Sequence, residues 1–357
     1  MSTRLTDALN LAQIEVLGRD AVSPVARAYF AGGARDRRTV TANVQAFADT
    51  WLRPRVLRGV GTRDLSTHVL GTPIALPVLA APTAFQRLAH PDGEAATARA
   101  TRAENTVMTV STLATTSVEA VCAAGGPVWF QLYVYRDRAI TRELVLRARD
   151  AGCMALVVTV DAPVLGCRED DVVHRFGLPE GLRVENVVAH GHSALPAEAQ
   201  GSGLAAYVYR LLDPNLTWDD IAWLREISGL PVVVKGVLRG DDAACAVDAG
   251  AAAVVVSNHG GRQLDSAVPS LWALPEVVDA VAGRAEVYVD GGIRRGGDVL
   301  KALALGARAV WIGRPVVWGL AAGGEAGVRR VFSLLRGELD EAMALCGCRS
   351  VARCPRT

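Results

Sequence analysis

From Pro77 onward, short apolar runs rich in β-branched residues alternate with longer stretches of helical period, the pattern of repeated βα units feeding a parallel sheet. Eight runs stand out: Pro77 to Ala81, Val107 to Ser111, Val128 to Leu132, Ala155 to Val160, Pro231 to Lys235, Ala252 to Val256, Glu286 to Val289 and Ala309 to Ile312. They are apolar almost throughout, without period-two alternation, which fits strands covered on both faces. Eight units over about 270 residues predict an α/β fold of the (β/α)8 barrel type, whose usual length is about 250 residues. The structural rival, a doubly wound open sheet, usually has fewer strands.

Two segments fall outside the repeat. Residues 1–75 predict an N-terminal helical extension to the barrel domain of residues 76–357, with a helix over Pro24 to Ala31 that Gly32-Gly33 stop in the left-handed conformation. This extension is expected to cap one barrel end. The interval from Gly166 to Asn215, after the fourth strand, is too long for a βα loop and reads as a lid or a disordered segment.

Composition narrows the classes. With 50% hydrophobic and 21% charged residues among 357, the chain can bury a large core. The formal charge of +1 and the absence of a basic stripe argue against nucleic acid as a partner. Asp7, Glu15 and Asp20 interrupt the first twenty residues, and no uncharged apolar run of about eighteen occurs, so no signal peptide or membrane span is expected and the location reads as cytoplasmic. Seven cysteines are scattered without a C-x-x-C pair and read as reduced thiols, mostly in the core. His190 and His192 have no nearby cysteine or second pair to complete a ligand set, so no metal is expected.

Barrel enzymes place their chemistry at the carboxyl ends of the strands. Here those ends carry Ala81-Pro82-Thr83-Ala84, Ser111, Gln131 with Tyr133, Thr159 with Asp161, Lys235, Ser257 with His259, Asp290-Gly291-Gly292, and Gly313-Arg314. Each has a plain explanation singly, such as a capping serine or a lysine paired with a carboxylate. Together they form a ring of polar groups around one mouth. The glycines after the last two strands, with Arg294 and Arg314, have the form of a phosphate site. No G-x-G-x-x-G accompanies them. In Ser257-Asn-His-Gly-Gly-Arg-Gln-Leu-Asp265, an imidazole and a guanidinium stand three positions apart. A histidine can take a hydroxyl proton near neutral pH, an arginine can grip a carboxylate through two parallel bonds, and the glycines between them let the backbone approach a flat ligand. Dehydrogenation of a hydroxy acid needs that pair.

These motifs, with QLYVYRDR at Gln131 to Arg138, TVDAPVLGCRE at Thr159 to Glu169, VKGV at Val234 to Val237, DGGIRRG at Asp290 to Gly296 and IGRPV at Ile312 to Val316, resemble the FMN-dependent 2-hydroxy acid oxidase and dehydrogenase family. The likeness is to its glycolate oxidase, lactate oxidase and hydroxymandelate oxidase branches, and it extends from Tyr29 to Cys348. It implies an FMN whose phosphate is held by Arg294, Gly313 and Arg314, with Asp290 binding the ribityl chain and Gly292 also at the cofactor. Ala84, Ser111, Gln131, Thr159 and Ser257 would contact the flavin, and Lys235 would stabilise its anionic reduced form. Arg168 and Arg262 would clamp the substrate carboxylate, assisted by Tyr29 and Tyr133. His259 would be the base and Asp161 its partner, a carboxylate that favours the imidazolium. The resemblance further implies S stereochemistry, a 2-hydroxy acid and O2 as partners, and a homo-oligomer, tetramer or octamer.

One departure bears on the substrate. Glycolate oxidases carry a tryptophan two residues after the flavin-contacting serine, where this chain has Leu113. The wider pocket predicts larger or aromatic acids, mandelate and 4-hydroxymandelate, while Tyr29 and Tyr133 keep the pattern of small-acid oxidases. A second departure, Cys167 before Arg168, has no account in the sequence. Membrane dehydrogenases of that family carry an apolar anchor in the long fourth loop and cytochrome-linked members a haem domain ahead of the barrel; this sequence shows neither, so the resemblance implies oxygen as the acceptor. A soluble dehydrogenase, a flavin-binding barrel without turnover and a barrel acting on a phosphorylated metabolite without FMN are the alternatives.

Overall fold

The computed structural model describes residues 4–196 and 201–351; Cys354 lies outside them. Eight parallel strands close into a barrel: Val78–Ala80, Met108–Ser111, Val128–Leu132, Leu156–Thr159, Val232–Val237, Ala253–Val256, Glu286–Asp290 and Ala309–Ile312. Each pairs with its successor, and the last closes on the first, with Val310 opposite Val78. Closure removes the open-sheet alternative. Each sequence-predicted run contains its strand or overlaps it closely.

The continuous apolar runs arise because both strand faces are buried. Outward side chains such as Val110, Phe130 and Val254 pack under the helices. Inward ones fill the barrel axis, where Trp129, Tyr288 and Trp311 bring their ring centroids to 5.9–6.0 Å. Small neighbours, Ala155, Ala253 and Ala309, make room for these rings. Each buried large side chain contributes about 1.5–3 kcal/mol.

The N-terminal extension serves both ends of the barrel. A hairpin of Thr67–Val69 and Thr72–Ile74 sends Val69 and Ile74 into the inner cluster. Upstream lie helices Leu11–Ala21, Pro24–Ala31 and Arg38–Asp49. The middle one has the predicted bounds: Ser23 Oγ accepts from Ala26 N at 3.2 Å, and Pro24 needs no hydrogen-bond acceptor for its nitrogen.

Its stop differs from expectation. Gly32 has φ −58°, so no left-handed residue ends the helix. The two glycines are required by crowding instead: a Cβ on Gly32 would lie 2.7 Å from Ala28 O, and one on Gly33 would lie 2.4 Å from Val40 Cγ2. The disordered alternative for the interval 166–215 is set aside. Its described part carries helix Glu169–Val173, the 3-10 turn Glu185–His190 and helix Gly203–Leu211, with Phe176, Val184, Tyr207 and Leu212 in the core. The cysteines are less uniformly buried than expected: Cys153 and Cys348 are buried, but Cys245 is exposed. Among the described residues no helix is long and apolar enough to cross a membrane.

Candidate active site

At the carboxyl ends of the strands lies a cleft of about 1200 Å³, its open mouth included. It is lined by Tyr29, Ala84, Ser111, Leu113, Gln131, Tyr133, Thr159, Arg168, Lys235, His259, Arg262, Asp290, Gly292, Arg294, Gly313 and Arg314. The structure therefore brings nearly all the sequence-predicted site residues to one cavity. Asp161 and Ser257 stand one step back. Ser257 is fully buried, and its Oγ accepts from Lys235 Nζ at 2.9 Å and from His259 N at 3.0 Å.

Lys235 completes that chain by pairing with Asp290 at 3.2 Å. Burial works against its charge, but Asp290 and Asp161 outweigh burial and raise its pKa above the ordinary lysine value. It is thus a fixed cation at the cavity wall, and the carboxylate pairing noted as its plain explanation is real.

His259 sits at φ 58°, followed by Gly260 and Gly261 at φ 62° and 74°, so a left-handed turn leaves the sixth strand. Gly260 lines the cavity, but Gly261 faces the extension, where a Cβ would meet Val40 N at 2.6 Å. His259 Nδ1 lies 2.8 Å from Asp161 Oδ1. Burial alone would raise the Asp161 carboxyl; contact with His259 and the charge of Lys235 hold it below its ordinary value. An ionised Asp161 accepts a hydrogen bond from Nδ1–H, and in the neutral ring this leaves Nε2 as the acceptor. Asp161 favours the imidazolium as expected, but burial first, with Lys235 and Arg168, outweighs it and lowers the His259 pKa.

Four arginines line the same cavity. Arg168, 5% exposed, and Arg314 have pKa values lowered chiefly by burial and then by Arg262. Among the described residues, Arg168 lies 3.8 Å from Asp171, and no carboxylate lies within 4 Å of Arg262, Arg294 or Arg314. Such uncompensated charge is costly without an anion. The side chains are nonetheless anchored. Arg314 donates to Phe30 O, Gly260 O and Gly32 O at 3.1, 2.9 and 2.7 Å, which leaves two of its five N–H groups unused by these bonds. Arg262 Nη1 donates to Tyr29 O at 2.7 Å and Gly32 O at 2.9 Å, its guanidinium 4.9 Å over the Tyr29 ring. Tyr29 itself stacks on Phe176 at 4.3 Å.

Further residues were not picked out from the sequence. Asn43 and Asn258 exchange amide bonds of 2.8 and 2.7 Å, tying the extension to the His259 turn. Gln263 Nε2 donates to Asp161 O at 2.8 Å. Leu165, Leu204, Val208 and Leu212 form an apolar wall with Leu113, which is 4% exposed. Asn258 and Gln263 were visible within the histidine motif. The wall had no local signal, because helix Gly203–Leu211 reaches the cavity only through tertiary packing.

The donor set suits a flat, phosphate-bearing cofactor. Gln131 Oε1 accepts from Ser111 Oγ at 3.0 Å, while its buried Nε2 has no partner; Asp290 Oδ1 is likewise buried and unpartnered. An orphaned donor and acceptor in a cavity beside several arginines call for a ligand bearing polar edges and negative charge. A barrel with this mouth fits a cofactor-binding enzyme whose ligands carry negative charge. A family model described as FMN-dependent dehydrogenase matches residues 18–357, and the chain belongs to that family of FMN-dependent 2-hydroxy acid oxidases and dehydrogenases. It is similar to an L-lactate oxidase of Nostoc sp., 53% identical over 97% of this chain and 96% of that one. Similarity to the glycolate oxidase of Spinacia oleracea is 48% over 98% and 94%. The crystal structure of a mandelate oxidase with (S)-4-hydroxymandelic acid superposes with a TM-score of 0.93, at 45% identity and 98% coverage of both chains. The protein is accordingly an FMN-dependent oxidoreductase acting on the CH–OH group of a 2-hydroxy acid, with oxygen as acceptor and hydrogen peroxide as product.

Proposed function

We propose that this enzyme is an (S)-2-hydroxy acid oxidase favouring larger or aromatic acids, of which (S)-mandelate and 4-hydroxymandelate are representative. The observation that carries this reading is the apolar wall of Leu113, Leu165, Leu204, Val208 and Leu212 in the same cavity as Arg168 and Arg262. A phenyl group against the wall and a carboxylate on the guanidiniums satisfy both faces. Apolar contact of that size contributes roughly 1.5–3 kcal/mol.

In this mechanism Arg168 and Arg262 bind the carboxylate through charge-assisted bonds. The Tyr29 and Tyr133 hydroxyls orient the acid; burial raises both pKa values, so both remain donors. His259 Nε2 accepts the substrate hydroxyl proton, and Asp161 stabilises the resulting imidazolium through Nδ1. Bound FMN would supply the two-electron acceptor and the route to oxygen. Arg294, Gly313 and Arg314 would hold its phosphate, and Asp290 and Gly292 would face the ribityl chain. Gln131, Ser111, Thr159 and Ala84 would meet the ring, and Lys235 would supply the fixed positive charge beside it.

A second reading, oxidation of a small acid such as L-lactate, is favoured by the likeness to the Nostoc enzyme. An anaerobic absorbance scan with (S)-mandelate, L-lactate and glycolate, followed by air, separates the readings. Bleaching fastest with mandelate and recolouring in air supports the proposal. Faster bleaching by lactate or glycolate replaces it with the second reading, and persistent bleaching in air indicates a dehydrogenase.

A further inference from the structure

Outside the cavity, the last turn of helix Val118–Ala124 meets the turn that follows helix Arg138–Asp150. There Cys122 and Cys153 bring their Sγ atoms to 3.5 Å, close enough to share one S–H hydrogen bond. Among the described residues this is the one sulfur–sulfur contact; Cys348 Sγ turns instead to a carbonyl, Cys346 O. Cys153 is buried, while Cys122 is half-buried and is the more exposed of the two. The shared proton makes the two thiols unequal. The bond from Cys153 draws the Cys122 pKa below its ordinary value against burial and the Glu119 charge. The same bond, with burial, pushes Cys153 up. A half-buried thiol in contact with a buried one supplies both a sulfur for peroxide to attack and a second thiol to resolve the product.

We propose that Cys122 and Cys153 form a peroxide-sensitive dithiol, which the hydrogen peroxide released by the enzyme converts into an intramolecular disulfide. The Cys122 thiolate attacks one peroxide oxygen, the O–O bond breaks, and the departing hydroxide takes a proton to leave as water. Cys122 is then a sulfenic acid. The Cys153 sulfur attacks the Cys122 sulfur and expels its hydroxyl, which leaves with the Cys153 proton as a second water. Two thiols and one peroxide thus give one disulfide and two waters; sulfur loses two electrons and peroxide gains them. The sulfurs must close from 3.5 Å to about 2.05 Å. The bond would join the end of helix Val118–Ala124 to the segment entering strand Leu156–Thr159.

The experiment uses reduced holoenzyme in two arms: added hydrogen peroxide, and turnover in air on whichever hydroxy acid bleaches it, with and without catalase. Thiols are counted after denaturation and mapped by peptide mass spectrometry. Two of the seven thiols should be lost, in a cross-linked pair lighter by two hydrogens, and catalase should prevent that loss during turnover. Cys153→Ser should stop at a Cys122 sulfenic acid that dimedone labels. Retention of all seven thiols under added peroxide, or a two-thiol loss that survives Cys122→Ser, would overturn the dithiol. Loss with added peroxide but none during turnover would overturn the link to the enzyme's product. Neither arm depends on an aromatic substrate, so failure of that preference leaves this test intact.

Discussion

Asp161 packs so closely over Gly236 that a Cβ on the glycine would stand 2.6 Å from the Asp161 Cβ and 2.9 Å from its N. Gly236 has φ +117° and marks the register shift between Lys235 and Val237 in the fifth barrel strand. One residue thus lets Lys235 point into the cavity and Asp161 sit under His259. Gly236→Ala should destabilise the fold by roughly 1–3 kcal/mol and slow anaerobic flavin reduction by displacing the carboxylate. Thermal unfolding and stopped-flow absorbance measure the two effects, and a wild-type reduction rate would show that the placement of Asp161 is not critical.

His259→Gln should retain FMN and reduce it more slowly by roughly 100-fold or more. Because the ring must be neutral to accept a proton and its pKa is lowered below 6.5, kcat/KM should fall only as the pH drops below that value. Removing the carboxylate takes away the contribution that raises the imidazole pKa. Asp161→Asn should therefore move the acid limb to still lower pH while decreasing the plateau rate. A pH–rate series that places the limb above 6.5 in the wild type contradicts a neutral resting base.

Arg262→Lys keeps the charge but loses the planar fork, and should raise KM for the hydroxy acid with less effect on FMN content. Arg262→Met should reduce kcat/KM further, by roughly 10- to 100-fold, the worth of a charge-assisted bond. Steady-state kinetics with flavin content measured alongside separate substrate capture from cofactor loss. Unchanged kcat/KM in both variants would remove Arg262 from the carboxylate site.

Leu113→Trp should fill the wide side of the cavity and shift preference from mandelate towards glycolate. The expected change in the ratio of kcat/KM values corresponds to roughly 1.5–3 kcal/mol of apolar contact. Parallel assays on both acids test it. An equal response of the two would mean that the ring does not lie against Leu113.

The barrel was legible because a strand buried on both faces must be apolar at every position, and eight such runs left little freedom in topology. Runs such as Val128 to Leu132 and Ala309 to Ile312 coincide with their strands. The polar mouth was legible for a related reason. A strand's end is marked where the apolar run stops, so Gln131, Lys235, His259 and Asp290 could be assigned to one rim without coordinates. The interval 166–215 gave no comparable signal, since its helices bury their faces against partners distant in the chain. Gly32 and Gly33 were misread as a conformational stop, because crowding by Val40 and Ala28 is invisible to a local rule.

By itself the sequence determined the repeat, the order of the strands and the chemical types that gather at their ends, because each depends on short-range pattern. Tertiary structure decided what those groups are in place: a His259 whose pKa burial lowers despite its partner carboxylate, an Arg314 engaged by backbone carbonyls, apolar side chains that helix Gly203–Leu211 brings to the cavity, and two thiols in contact across thirty-one positions. Protonation, desolvation and shape complementarity depend on atoms brought together from distant positions, and only the folded chain brings them together.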